Sequence, residues 1–102
     1  MRMVAITWFL VCYDISVTAD GGARRLRRAE RYCTSVCERV NDSVYEFHGP
    51  EAVLQRLVER LRALLDFEVD SLRIYRLPVP IGKYRTVYGP DFGSDPDLPL
   101  VF

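Results

Sequence analysis

Two features of this sequence place side chains that could do chemistry: one carboxylate at the end of an apolar run, and a cluster of guanidinium groups just after it. The carboxylate is Asp14, which ends the run Val4-Ala5-Ile6-Thr7-Trp8-Phe9-Leu10-Val11-Cys12-Tyr13 in the string Tyr13-Asp14-Ile15-Ser16. A carboxylate where a strand surfaces can ligate a divalent cation, act as a general base, or cap the loop that follows, and the cap is the simplest of the three. Mg²⁺ keeps several waters and takes one or two carboxylates together with substrate phosphate, so a lone Asp14 is too few for tight binding. A symmetric dimer would bring two such carboxylates near its axis, and an ion held there could polarise a phosphodiester or lower the pKa of a bound water.

The guanidinium cluster is Arg24, Arg25, Arg27, Arg28 and Arg31, with Arg39 beyond it. Cations in the first turns of a helix oppose its dipole, at a cost of about 0.3 to 1 kcal/mol each when exposed. Phosphate groups from a partner would offset both the repulsion and the dipole. A solvated face with local pairs to Asp20 and Glu30 is the equal alternative.

Other chemistries lack their residues. His48 is the one histidine, which removes zinc sites built on a histidine pair, and it reads as a loop residue. Cys12, Cys33 and Cys37 read as small apolar filler. No Gly-rich phosphate loop, Ser-His-Asp set or zinc signature is present, and no strand has the basic and aromatic pattern of a single-strand RNA reader.

The elements that must position Asp14 and the arginines follow from periodicity. The first run is apolar enough to read as a strand buried on both faces. Thr18 to Gly22 is a loop in which Asp20 is the expected N-cap of a helix running to about Val36. Leu26, Ala29, Cys33 and Val36 share one face of that helix, and at about 100° per residue Arg24, Arg27, Arg28 and Arg31 fall on the opposite one. The segment from Arg39 to His48 predicts two short strands joined by a tight turn or a bulge. Gly49-Pro50 opens a second helix with a stripe of Leu54, Leu57, Val58, Leu61, Leu64 and Leu65. Asp66 to Asp70 is a connector, Ser71 to Leu77 alternates as a strand, and Tyr84 to Tyr88 predicts one more. The fold class is α+β: a ferredoxin-like βαββαβ antiparallel sheet with two helices on one face and an extra C-terminal strand.

The 102 residues suit one domain, expected over 1–89 and followed by an extended tail over 90–102, and a chain this short gains from dimerisation. With 14 basic and 14 acidic residues the net charge is zero, yet the arginines gather near the first helix while Asp91, Asp95 and Asp97 lie in the tail. An odd cysteine count, no secretory signal and no apolar span predict a reduced, cytoplasmic protein away from membranes.

Taken together, Tyr13-Asp14-Ile15, the helix start Gly22-Ala23-Arg24-Arg25-Leu26-Arg27-Arg28, the string Arg39-Val40-Asn41-Asp42-Ser43-Val44-Tyr45-Glu46 and the string Asp70-Ser71-Leu72-Arg73-Ile74-Tyr75-Arg76-Leu77 resemble the CRISPR-associated protein 2 family. Their order and spacing carry the resemblance. It implies a homodimer in which Tyr84 to Tyr88 adds to the partner's sheet, with Asp14 of each subunit as the Mg²⁺ ligand. It implies nucleic-acid contacts by Arg25, Arg27 and Arg39 among the six arginines, and supporting places for Ser43 and Tyr45. Asn41 stands where the family usually has Gln. Two roles are implied: an endonuclease cutting single-stranded RNA or duplex DNA, and a non-catalytic bridge that holds duplex DNA between dimers of the CRISPR-associated integrase during spacer acquisition. The tail over 91–102 is the expected docking segment for that integrase.

Overall fold

The computed structural model describes residues 5–78 and 81–90. Its elements in chain order are β1 (Ile6–Asp14), α1 (Gly22–Val36), β2 (Glu38–Asn41), β3 (Val44–Pro50), α2 (Glu51–Leu64), β4 (Ser71–Leu77) and the short α3 (Ile81–Tyr84). The four strands form one antiparallel sheet in the order β2-β3-β1-β4, with β1 in the interior where its apolar side chains are most useful. This is the ferredoxin-like arrangement the periodicity predicts.

Strand period decides which residues meet the helices, because successive side chains point to opposite faces. Phe9, Val11 and Tyr13 of β1 are buried, and their cross-strand partners on β3, Tyr45 and Phe47, are buried with them. Ala29 and Cys33 of α1 and Leu54, Leu57 and Leu61 of α2 close over this face. The expectation that β1 is buried on both faces is not met. Trp8, Leu10 and Cys12 alternate with the core residues and remain partly exposed, since both long helices cover the same side. On that open face Trp8 stacks on His48 of β3, with ring centroids 3.7 Å apart and an interplanar angle of 14°. His48 is thus a strand residue and not a loop residue.

β2 and β3 are joined by both devices the sequence allowed: a two-residue turn at Asp42-Ser43 and a register shift between Arg39 and Asn41. Asn41 accepts the Asp42 N–H through its side-chain oxygen at 2.9 Å, which steadies the turn. One other expectation is corrected. The N-cap of α1 is Gly21, in the left-handed region at φ 72°, and Asp20 makes no side-chain cap. The chain there passes so close to the β1 exit that a Cβ on Gly22 would overlap the Ser16 carbonyl oxygen, so glycine is required. Tyr84 ends α3 and the residues after it lie in no ladder of this chain, whereas the strand expected over Tyr84 to Tyr88 is one that adds to a partner's sheet. A strand needs an edge to pair with, and within one chain this segment joins none of the ladders. Instead Arg85 forms an ion pair with Glu46. The acidic tail at 91–102 lies outside the described residues.

One buried carboxylate ties these parts together. The Asp70 side chain is fully buried and accepts from Arg25 Nε at 2.8 Å, from the Ser16 N–H at 3.0 Å and from the Asp66 N–H at 2.9 Å. It thereby joins the loop after β1, the first turn of α1 and the connector before β4. Burial alone would raise its pKa, but the Arg25 hydrogen bond and the two backbone donors outweigh it and hold the carboxyl below its ordinary value.

Asp70→Asn replaces an acceptor by a donor among three donors and leaves Arg25 unpaired, so urea unfolding at pH 7 is expected to show a loss of about 3 to 5 kcal/mol. The pH dependence has a defined sign. With the folded pKa below the unfolded value of about 3.9, the unfolded state takes up the proton first as pH falls. The contribution of Asp70 is therefore complete above that value and is lost as pH drops through the folded pKa. Unfolding curves of the wild type should weaken over that acid range, and the part due to Asp70 should vanish from the curves of Asp70→Asn.

Candidate functional site

β1 delivers Asp14 to its C-terminal end on the same side as Trp8, Leu10 and Cys12, opposite Ser71 of β4 in the ladder. The side preceding it is secured twice over. Tyr13 donates its N–H to the Ser43 carbonyl at 3.1 Å, and the phenols of Tyr13 and Tyr45 hydrogen-bond to each other in the core at 2.9 Å. Asp14 itself is exposed and, among the described residues, has no hydrogen-bond or ion-pair partner. It caps nothing, which leaves its oxygens available as hard ligands. The described residues contain no cluster of three or more His, Cys, Asp or Glu that could hold a metal ion. Among the described residues Asp14 therefore stands alone at this strand end as an unpaired carboxylate.

The arginines divide into two groups. Arg25 is engaged through all three nitrogens: Nε and one terminal nitrogen meet Asp70, and the other donates to the Asp20 carbonyl at 2.6 Å. Arg39 pairs with Glu30 at 3.5 Å and Asp42 at 3.2 Å and donates to the carbonyls of Asn41 and Asp42. Protein carboxylates thus occupy these two, across 45 residues for Arg25 and within the neighbouring segments for Arg39. Arg24, Arg27, Arg28 and Arg31 are exposed and, among the described residues, form neither ion pairs nor hydrogen bonds. Their charges sit on the outer surface of the helix layer, on the other side of the sheet from Asp14.

Ser43 and Tyr45 take structural places. Ser43 lends its carbonyl to β1, whereas Tyr45 is 0% exposed, and burial raises the pKa of its phenol more than the Tyr13 hydrogen bond lowers it. The cysteines behave as filler: burial pushes the thiols of Cys33 and Cys37 up to about 12, so neither is poised as a thiolate.

Sequence reasoning treated Asp70 as part of a connector, although an acidic residue directly before an apolar strand was a usable signal for a buried partner of an arginine. The arginines of α2 are a second such signal. Arg24 and Arg28 border a cavity of about 540 Å³ between the helices, and Arg60 of α2 borders it from the far side. Arg56 and Arg60 are spaced as neighbours on one helix face, but Glu51 and Glu59 in the same helix masked the pattern.

The family model described as CRISPR associated protein Cas2 matches residues 7–80. A CRISPR-associated endoribonuclease Cas2 of Moorella thermoacetica is 40% identical over 94 residues, covering 92% of this chain and 98% of that protein. A CRISPR-associated endonuclease Cas2 of Halalkalibacterium halodurans is 36% identical over 97 residues, covering 91% and 97% respectively. Among solved structures, Streptococcus pyogenes Cas2 superposes with a TM-score of 0.70 at 29% identity, over 80% of this chain and 99% of that one. With the ferredoxin-like sheet, the strand-end Asp14 and the arginine-bearing first helix in place, the chain belongs to the CRISPR-associated protein Cas2 family.

Proposed function

We propose that this chain acts in CRISPR adaptation as a homodimer that bridges dimers of the CRISPR-associated integrase and holds duplex DNA on its helix arginines, with Mg²⁺-dependent endonuclease activity centred on Asp14. The observation that carries the nucleic-acid part is the set of four exposed guanidinium groups at Arg24, Arg27, Arg28 and Arg31, which have no ion-pair or hydrogen-bond partner among the described residues. Such groups suit phosphate oxygens.

The open sheet face supports self-association. Trp8, Leu10 and Cys12 are half-covered there and Tyr75 is 46% exposed, so a second copy seated on this face would remove apolar surface from water. Asp14 lies on the same side, and a two-fold interface would bring the two carboxylates toward one another. The donor set fits Mg²⁺ on those terms: hard carboxylate oxygens, one from each copy, with water and phosphate completing the shell. The bound ion would supply Lewis-acid polarisation of a phosphodiester and a more acidic water. The chain's own contribution is to hold Asp14 rigidly at a strand end and to expose it. The relatives named endoribonuclease and endonuclease support the nuclease arm for cleavage of RNA or DNA. No helix among the described residues is long and apolar enough to cross a membrane, in keeping with a cytoplasmic role.

A second reading is a scaffold without cleavage. It is favoured by the position of Asp14 on the opposite side of the sheet from the free arginines, which separates the candidate metal ligand from the groups that would hold phosphate.

Labelled single-stranded RNA and duplex DNA, incubated with wild type and Asp14→Asn in Mg²⁺ or EDTA, separate the two. Metal-dependent cleavage should fall by on the order of 100-fold in Asp14→Asn, with unfolding free energy unchanged within about 0.5 kcal/mol. Equal cleavage by both proteins, or none by either, leaves the scaffold.

Duplex affinity should weaken as salt rises, through release of counterions from the DNA. Replacing any one of Arg24, Arg27, Arg28 or Arg31 by Gln should reduce the log–log salt slope by about 1 without unfolding the protein. Arg25→Gln should instead lower stability by about 3 to 5 kcal/mol, because it strands Asp70. An unchanged slope in all four variants would remove the arginine face from the site.

A further inference from the structure

The arginines of α1 are only one wall of a groove. The 540 Å³ cavity between the helices is bordered by Arg24 and Arg28 on α1 and by Arg60 on α2, with Tyr32 between them. A second cavity of about 220 Å³ continues along the same helices and shares Tyr32 and Arg60, with Arg56 on its α2 side and Ser35 on its α1 side. The two linings contain no Asp or Glu. The groove therefore gathers five guanidinium groups, of which Arg24, Arg28, Arg56 and Arg60 have no carboxylate beside them in the lining, in a chain whose net charge is zero.

Arg60 is the best-placed of the four. Its guanidinium carbon lies 5.4 Å from the centre of the Tyr32 ring, and among the described residues it has no ion pair. Packing on an aromatic face restrains the side chain while its N–H donors stay free, which lowers the entropy lost when an anion binds. Arg25 also reaches this groove, but its donors are taken by Asp70 and Asp20.

We infer that the α1–α2 groove is a binding site for the sugar-phosphate backbone of a nucleic-acid strand, with Arg56 and Arg60 of α2 as its second cationic rail. Length separates a strand from a single phosphate. From Gly21 in the first cavity to Val36 in the second, α1 rises roughly 22 Å at 1.5 Å per residue. A duplex strand advances about 3.4 Å per phosphate along its axis, so several phosphates can lie along the groove at once. Chemistry separates backbone from base. The lining has neither the Asn and Gln that pair with adenine nor the carboxylates that pair with cytosine, and its arginine forks match the oxygens of phosphate.

This inference rests on the nucleic-acid reading above and adds α2 to it, so its test must be able to fail separately. The probe is a labelled duplex of about 30 base pairs, sized to exceed the groove, titrated by anisotropy at several salt concentrations. The proteins compared are the wild type, Arg24→Gln/Arg28→Gln, Arg56→Gln/Arg60→Gln, and Arg62→Gln, which removes a charge of α2 outside the groove. Thermal melting confirms that each is folded.

The α2 double variant is expected to bind at least tenfold more weakly and to lose about two from the salt slope for each chain engaged, with Arg62→Gln close to wild type. Weak binding by the α1 variant together with an α2 variant indistinguishable from Arg62→Gln would overturn the groove and leave the α1 face standing. No loss in either double variant, or no duplex binding by wild type, would overturn both. Inorganic pyrophosphate provides the last arm: a melting shift that requires Arg60, with duplex affinity unaffected by Arg56→Gln/Arg60→Gln, would make the groove a site for small phosphates and overturn the strand assignment.

Discussion

The arrangement of this molecule depends on the contact between Arg25 and the buried carboxylate of Asp70. A buried charge is costly unless it is paired and its remaining lone pairs are filled, and Asp70 meets both conditions with donors from three separate segments. Those segments are the exit of β1, the first turn of α1 and the entrance to β4. Because β4 pairs with β1 up to Ser71 opposite Asp14, fixing Asp70 also fixes the strand end that presents Asp14. The same contact explains how α1 tolerates so many cations in its first turns: the arginine that points inward has a full counter-charge, and the others stand in water.

That division among arginines was only half legible in the sequence. Helical periodicity correctly put Arg24, Arg27, Arg28 and Arg31 on the face away from Leu26, Ala29 and Cys33. It could not show that Arg25, at the border of that face, would turn toward a carboxylate 45 residues away, because a long-range pair leaves no local period. Arg39 was placed near the patch by proximity in sequence, yet the β2–β3 bulge carries it to Glu30 and Asp42. Tyr45 shows the same effect in the core, where strand register, and not the motif around it, sets its phenol against that of Tyr13.

The fold itself was more readable than its surfaces. Strong apolar stripes specify α2 and β1 because burial of those residues dominates local preference. What the run at β1 concealed was its second face: a strand with apolar residues on both sides looks the same in sequence whether a helix, a second sheet or another chain covers the far side. The segment after Tyr84 is a related case. Its alternation is genuine, but a strand is a property of two partners, and within one chain this segment meets Glu46 through Arg85 without entering a ladder.

The open face and the helix face consequently pose different physical problems. Half-covered Trp8, Leu10 and Cys12 favour a partner of the same apolar character, whereas free guanidinium groups favour an anion. A copy of the chain answers the first demand and would enclose the Asp14 side of the sheet, leaving the helices and their groove outward. Phosphate binding on the helices is then independent of whether a cation is held between carboxylates on the far side. On the proposed reading, holding a duplex and cutting a phosphodiester would thus draw on opposite sides of one sheet, and loss of Asp14 would leave every residue required for the first in place.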